Sequence, residues 1–132
     1  MRPSKIELFD EPEPGALRPF SRVCKAGGMI YVSGHSAPHD PDAGIYRGET
    51  PAEEVRNAIG YIKTLLAQAG SDIDHVVQVT MLITDPADYH ALNAEYVKHF
   101  PRSLPARHTA RFGVPTQARV GFACVALVAE PD

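Results

Sequence analysis

Arg107, within Pro105-Ala106-Arg107-His108-Thr109, has the residue type and setting best suited to chemistry. A guanidinium presents a fixed fork of donors that matches a carboxylate in two parallel hydrogen bonds. The residues before it, Phe100-Pro101-Arg102-Ser103-Leu104-Pro105, read as a loop, and those after it return to strand-like sequence. An arginine at that junction is held in place and still reaches solvent, which suits the capture of a small carboxylic acid. The competing reading is an ordinary surface arginine. Next to it, His108 is an imidazole of a type that serves as acid or base, but alternation along a strand turns it away from the Arg107 side. His35 and His39 stand four apart in a segment rich in Gly, Pro and Asp. That spacing suits a metal pair only on a helix, and no third ligand is evident, so no metal site is expected. His35, directly after Ser33-Gly34, is the weak candidate for a catalytic base. Cys24 and Cys124 lie in apolar runs with nothing nearby to activate a thiol. They read as reduced packing residues, with a disulfide between them left open.

The elements that must position these groups follow from pattern and punctuation. Residues 1–20, with Pro3, Pro12, Pro14 and Pro19, read as an extended, irregular lead-in. Short β-type runs over 21–25 and 29–33 flank Ala26-Gly27-Gly28, a hairpin signature. A loop over 34–44 follows. Thr50 caps a helix with Pro51 at its first position and Glu53 completing a capping box. Val55, Ile59, Ile62 and Leu66 form the buried stripe, Glu54, Arg56, Lys63 and Gln68 the exposed side, and Gly70 ends the helix. A strand is predicted over 73–84, with Val77, Val79, Met81 and Ile83 on one face. Asp85-Pro86 opens a second helix whose buried stripe is Tyr89, Leu92 and Tyr96. Val114-Pro115-Thr116-Gln117 turns the chain into a last strand over 120–129. The predicted order is β-β-α-β-α-β-β, an α+β domain with two helices on one face of a mixed sheet. The last strand has almost no polar residue on either face and so asks for burial on both sides. Two helices cover only one face, so a homo-oligomer is expected.

Composition narrows the function classes. The 132 residues fit a single domain, 1–132, and carry a formal net charge of −3 with no basic block, so no nucleic-acid or anionic-membrane partner is indicated. No apolar run is long enough to span a bilayer. The N-terminal ten residues lack an apolar signal-peptide core, so a cytoplasmic location is expected.

Several segments taken in order resemble the RidA family, also called YjgF or L-PSP. They are Arg18-Pro19-Phe20-Ser21, the run from Gly28 to Gly34 (Gly-Met-Ile-Tyr-Val-Ser-Gly), the Thr50 to Gly70 helix, Leu92-Asn93-Ala94-Glu95-Tyr96, and Pro105-Ala106-Arg107. The resemblance implies a chorismate-mutase-like fold and a homotrimer with ligand clefts between subunits. Its best-known branch hydrolyses reactive imines and enamines, such as 2-aminoacrylate, to 2-oxo acids and ammonia without metal or organic cofactor. Carried over residue by residue, Arg107 matches the arginine that grips the substrate carboxylate. Ser33 and Gly34 match the pair lining the cleft, and Asn93 an asparagine near it. A polar residue at a helix–sheet boundary is an equally good reading of Asn93. Phe20 falls where that branch usually has tyrosine, and Thr109 where it often has cysteine. The sharpest departure is Gly121, which stands where the branch carries a glutamate thought to position the attacking water. Neither neighbour, Val120 nor Phe122, is acidic, and the next acid, Glu130, lies too far along.

Two functions follow. The first is an enamine/imine deaminase-type hydrolase whose small carboxylated substrate is bound by Arg107, or a related hydrolase whose pocket is reshaped by Phe20 and the His35 segment. The second is a non-catalytic protein of the same fold that binds 2-oxo acids or related carboxylates. Endoribonuclease activity draws no support from the charge pattern or from any His–His or His–Lys pair.

Overall fold

The structure, a computed structural model, describes residues 5–129. Six strands form one sheet: β1 (Glu7–Phe9), β2 (Val23–Ala26), β3 (Met29–Ser36), β4 (Val76–Ile83), β5 (Ala106–Arg111) and β6 (Val120–Leu127). Helix α1 (Pro51–Gln68) joins β3 to β4, and α2 (Tyr89–Tyr96) joins β4 to β5. The spatial order is β1-β2-β3-β6-β4-β5; β4 and β5 run parallel and every other pair antiparallel. This is the expected α+β mixed sheet with one strand added. The lead-in is not wholly irregular, because Glu7, Leu8 and Phe9 pair with Lys25, Cys24 and Val23.

Local chemistry explains the boundaries. Gly27 and Gly28 both hold positive φ (59° and 80°), as a two-residue hairpin turn requires. Thr50 Oγ1 accepts from Glu53 N at 3.1 Å, and the Glu53 carboxylate accepts from Glu49 N at 2.8 Å, one residue before the cap. At the other end Gly70 N donates to Ala67 O and Ser71 N to Leu66 O, a Schellman closure around a left-handed glycine. The Asp85 side chain caps a short 3-10 turn, Pro86–Asp88, and α2 begins only at Tyr89.

Both helices cover the same face. Val55, Ile59, Ile62 and Leu66 of α1 and Leu92 and Tyr96 of α2 share one core with Val79, Met81, Ile83, Phe122 and Cys124. Four expectations need correction. Glu54 is fully buried, not exposed. The strand expected from residue 73 starts at Val76, after a 3-10 turn over Ile73–His75, and a register shift between Val76 and Gln78 sends Val77 outward while Val76 packs on the core. Tyr89 is exposed rather than part of the buried stripe. Strand β3 runs on through Ser36, so Gly34 and His35 are strand residues, not loop residues.

On the opposite face β6 presents Gly121, Ala123, Val125 and Leu127 beside Leu82 and Thr80 of β4. Ala123, Val125 and Leu82 are only half-buried and Leu127 is exposed. Cys24 is half-buried and Cys124 buried; both are free thiols. Among the described residues no helix is long and apolar enough to cross a membrane.

Candidate functional site

Strand β5 lies at the sheet edge beside α2, and its alternation decides what faces the helix. Arg107 pairs with Val79 and Thr109 with Met81, both core positions, so these two side chains point to the helix side. His108 points the other way, its Nε2 3.2 Å from Thr80 Oγ1, as expected. The Arg107 guanidinium carbon stands 4.7 Å above the Tyr96 ring and 5.9 Å from the Tyr89 ring. Its Nη2 donates to Tyr89 Oη at 3.2 Å. Cation–π support beneath and a hydrogen bond at one end hold the fork still without neutralising it. A groove beside it is lined by Asn93, Tyr96, Val97, Leu104, Pro105 and Arg107. Asn93 follows Tyr89 by one helical turn, so the two side chains neighbour each other.

The polar groups here are unequal. Burial pushes the Tyr96 phenol above its ordinary value. Tyr89 moves the other way: hydrogen bonding from the Asn93 side chain, then the Arg107 charge, hold its phenol below the usual range. Asn93 Oδ1 and the Tyr96 hydroxyl are buried without a hydrogen-bond partner. An arginine fork beside this groove suits a small anionic ligand.

The other expected site residues gather elsewhere. Ser33 and Gly34 form a bulge in β3, where the register shifts between Val32 and His35. Ser33 Oγ donates to Ser21 O at 2.7 Å. Phe20 is exposed beside Arg18, whose Nη1 donates to the Phe20 carbonyl and to Asp10 O. His35 points to the helix side and meets Tyr61 edge-on at 5.4 Å, with Nε2 buried and unpartnered. Burial, then the charge of Arg22, hold this ring below its ordinary value. Strands β6 and β4 separate β3 from β5, so Ser33 and Arg107 stand about 14 Å apart at ~4.8 Å per strand. One chain therefore brings Asn93 and Thr109 to Arg107, but not Ser33, Gly34, Phe20 or His35. His39 is spent locally: its Nδ1 accepts from Arg47 N at 3.1 Å. Tyr89 and Tyr96 were missed as site residues because aromatic residues at helical spacing read as core. Tyr89, at the first position of α2 and the open end of the stripe, was the available signal.

A family model described as Endoribonuclease L-PSP matches residues 11–128. The chain belongs to this family. Over 92% of its length it is 30% identical to Reactive Intermediate Deaminase A, chloroplastic, of Arabidopsis thaliana, and it spans 65% of that protein. It is 32% identical to the 3-aminoacrylate deaminase RutC of Acinetobacter baylyi, covering 92% of this chain and 96% of that one. Among solved structures, a YjgF family protein from Neisseria meningitidis superposes with a TM-score of 0.77 at 26% identity, covering 95% and 96% of the two chains.

Gly121 is the position where the resemblance led to the expectation of a glycine in an acid's place. It lies on the sheet face away from the helices, and the Phe112 ring is laid against it. A Cβ there would stand 3.0 Å from Phe112 Cζ and 3.3 Å from the His35 carbonyl oxygen. The place expected for an acid is thus filled by an aromatic ring. Glu130 lies outside the described residues. Among the described residues no three His, Cys, Asp or Glu side chains are grouped to hold a metal ion.

Proposed function

We propose that this chain is an enamine/imine deaminase-type hydrolase that converts small carboxylated imines to 2-oxo acids and ammonia, with Arg107 holding the substrate carboxylate. The observation that carries this reading is the Arg107 fork, stacked on Tyr96, tied to Tyr89 and open to the Leu104–Asn93 groove. The deaminase names of relatives at about 30% identity support the reaction class. Neither metal nor organic cofactor is part of the proposal, and the charge pattern gives no reason to add a nucleic-acid partner.

The working unit of this proposal is a cytoplasmic homotrimer. Ser33, Gly34 and Phe20 cannot meet Arg107 inside one chain, so a second copy must bring its β3 bulge to the α2–β5 edge of the first. The half-covered face of β6 supplies apolar surface for that assembly.

The test mixes purified protein with 2-aminoacrylate made in situ by a dehydratase. Faster appearance of 2-oxo acid than in buffer, lost in Arg107→Ala, is expected. No acceleration contradicts the enzyme reading. Gly121 under Phe112 specifically favours a second reading, a carboxylate-binding protein without chemistry. In that case 2-oxo acids bind through Arg107 while no imine is hydrolysed.

A further inference from the structure

Imine hydrolysis needs a group that takes a proton from water and gives one to nitrogen. With Gly121 unable to do so, the titratable groups around Arg107 can be compared. His108 faces the opposite side of the sheet and is engaged with Thr80. His35 faces the helix side of its own chain, where it is packed on Tyr61, so its ring is turned away even when a second copy's β3 bulge meets Arg107. Cys124 is buried and its thiol is pushed up to about 12. The Tyr96 hydroxyl is buried beneath the guanidinium. Tyr89 alone of these is exposed with its oxygen on the guanidinium itself, 3.2 Å from Nη2. A carboxylate seated on the rest of the fork would share one rigid guanidinium with that oxygen.

We propose that Tyr89 is the catalytic acid–base of this site, replacing an acid on β6. The proposal rests on the reading of Arg107 as the carboxylate clamp. For an α-iminium carboxylate, the Tyr89 phenolate takes a proton from water as the water oxygen bonds to carbon and the C=N electron pair moves to nitrogen. The carbinolamine so formed takes that proton from the Tyr89 phenol on its nitrogen. The C–N bond then breaks, the oxygen lone pair forms the carbonyl, and the hydroxyl proton leaves with ammonia as ammonium. The balance is iminium plus water to ketone plus ammonium, with the phenolate restored. Hydrogen bonding from Asn93, then the Arg107 charge, hold the Tyr89 phenol below its ordinary value.

The test compares the full-length chain with Tyr89→Phe on 2-iminopropanoate generated in situ by an amino-acid oxidase. Phenylalanine keeps the ring at an exposed position, so melting temperature is expected to stay close to the parent's. A kcat loss of about 100-fold or more with KM nearly unchanged, and loss of one limb of the kcat–pH profile, are expected. Titration of tyrosinate absorbance should lose its lowest-pH step in Tyr89→Phe. An unchanged kcat, or a raised KM with both limbs retained, overturns the assignment and leaves the clamp standing. A parent chain that hydrolyses no imine overturns the deaminase reading and this assignment together.

Discussion

Replacing Glu54 by glutamine removes a charge from the contact that fixes the start of β6. Glu54 is wholly buried in the first turn of α1. Its Oε2 accepts from the backbone N–H groups of Arg119 (2.6 Å) and Val120 (3.4 Å), and its Oε1 from Arg119 Nη1 (2.9 Å). Arg119 Nη2 also donates to Glu49 O, so one side chain ties the start of β6 to both the residue before the cap and the first turn of α1. Gly48 passes the same spot at φ 135°, where a Cβ would stand 2.8 Å from Glu54 N. Glutamine offers one acceptor where the carboxylate offered two, and turns N–H donors toward N–H donors. The Arg119 side chain is 36% exposed and can rehydrate, which lowers the cost. About 2–4 kcal/mol is expected for Glu54→Gln. In a chain of this size that is a fall of roughly 8–15 °C in Tm. Arg119→Met should cost more, about 3–5 kcal/mol, because it leaves the fully buried carboxylate without its cation. Thermal melts by circular dichroism at one protein concentration measure both. A fall of under about 2 °C for Glu54→Gln, or a smaller loss for Arg119→Met than for Glu54→Gln, refutes the reasoning.

Three further outcomes follow from the same contacts. Gly121→Glu is expected to destabilise by about 1–3 kcal/mol through collision with Phe112, and Phe112→Ala should relieve much of it, which a double-mutant cycle of urea midpoints checks as a coupling energy. His35 has a lowered folded-state pKa, so the unfolded chain binds its proton first as pH falls below the ordinary histidine value; stability from this group is full above that value and is lost toward the folded pKa. Urea midpoints at pH 5 and pH 7.5 should therefore differ more in the parent than in His35→Gln. Leu104→Asp places an anion in the groove beside Arg107, and a 2-oxo acid should bind it at least about tenfold more weakly in calorimetry.

Much of the scaffold was legible because its signals are local. Gly27-Gly28, the Thr50-Pro51 cap and Gly70 each act through their own backbone and appear where expected, whereas Asp85-Pro86 opens a 3-10 turn one step ahead of α2. What escaped depends on distant partners. Three residues, Glu7 to Phe9, become a strand only by pairing with β2. Glu54 reads as a solvated charge until Arg119, 65 positions on, is folded against it. The shift at Val76–Gln78 and the Ser33-Gly34 bulge change which side chains face inward without any Gly-Pro punctuation in β4. The site was half legible: the strand alternation that places Arg107 and Thr109 against α2 is periodic, whereas the phenol that meets Arg107 looked like part of an apolar stripe. The distance from Ser33 to Arg107 was hidden because it depends on strand order, with β6 and β4 between them.

The central claim is that Arg107 binds a carboxylate, and calorimetric titration of the full chain with 2-oxobutanoate tests it directly. The parent chain should bind, and Arg107→Ala should lose about 3 kcal/mol, roughly 100-fold in Kd, for two charge-assisted hydrogen bonds. Arg107→Lys, which keeps the charge but not the fork, should fall between the two. Equal affinity in the parent and Arg107→Ala would contradict the account.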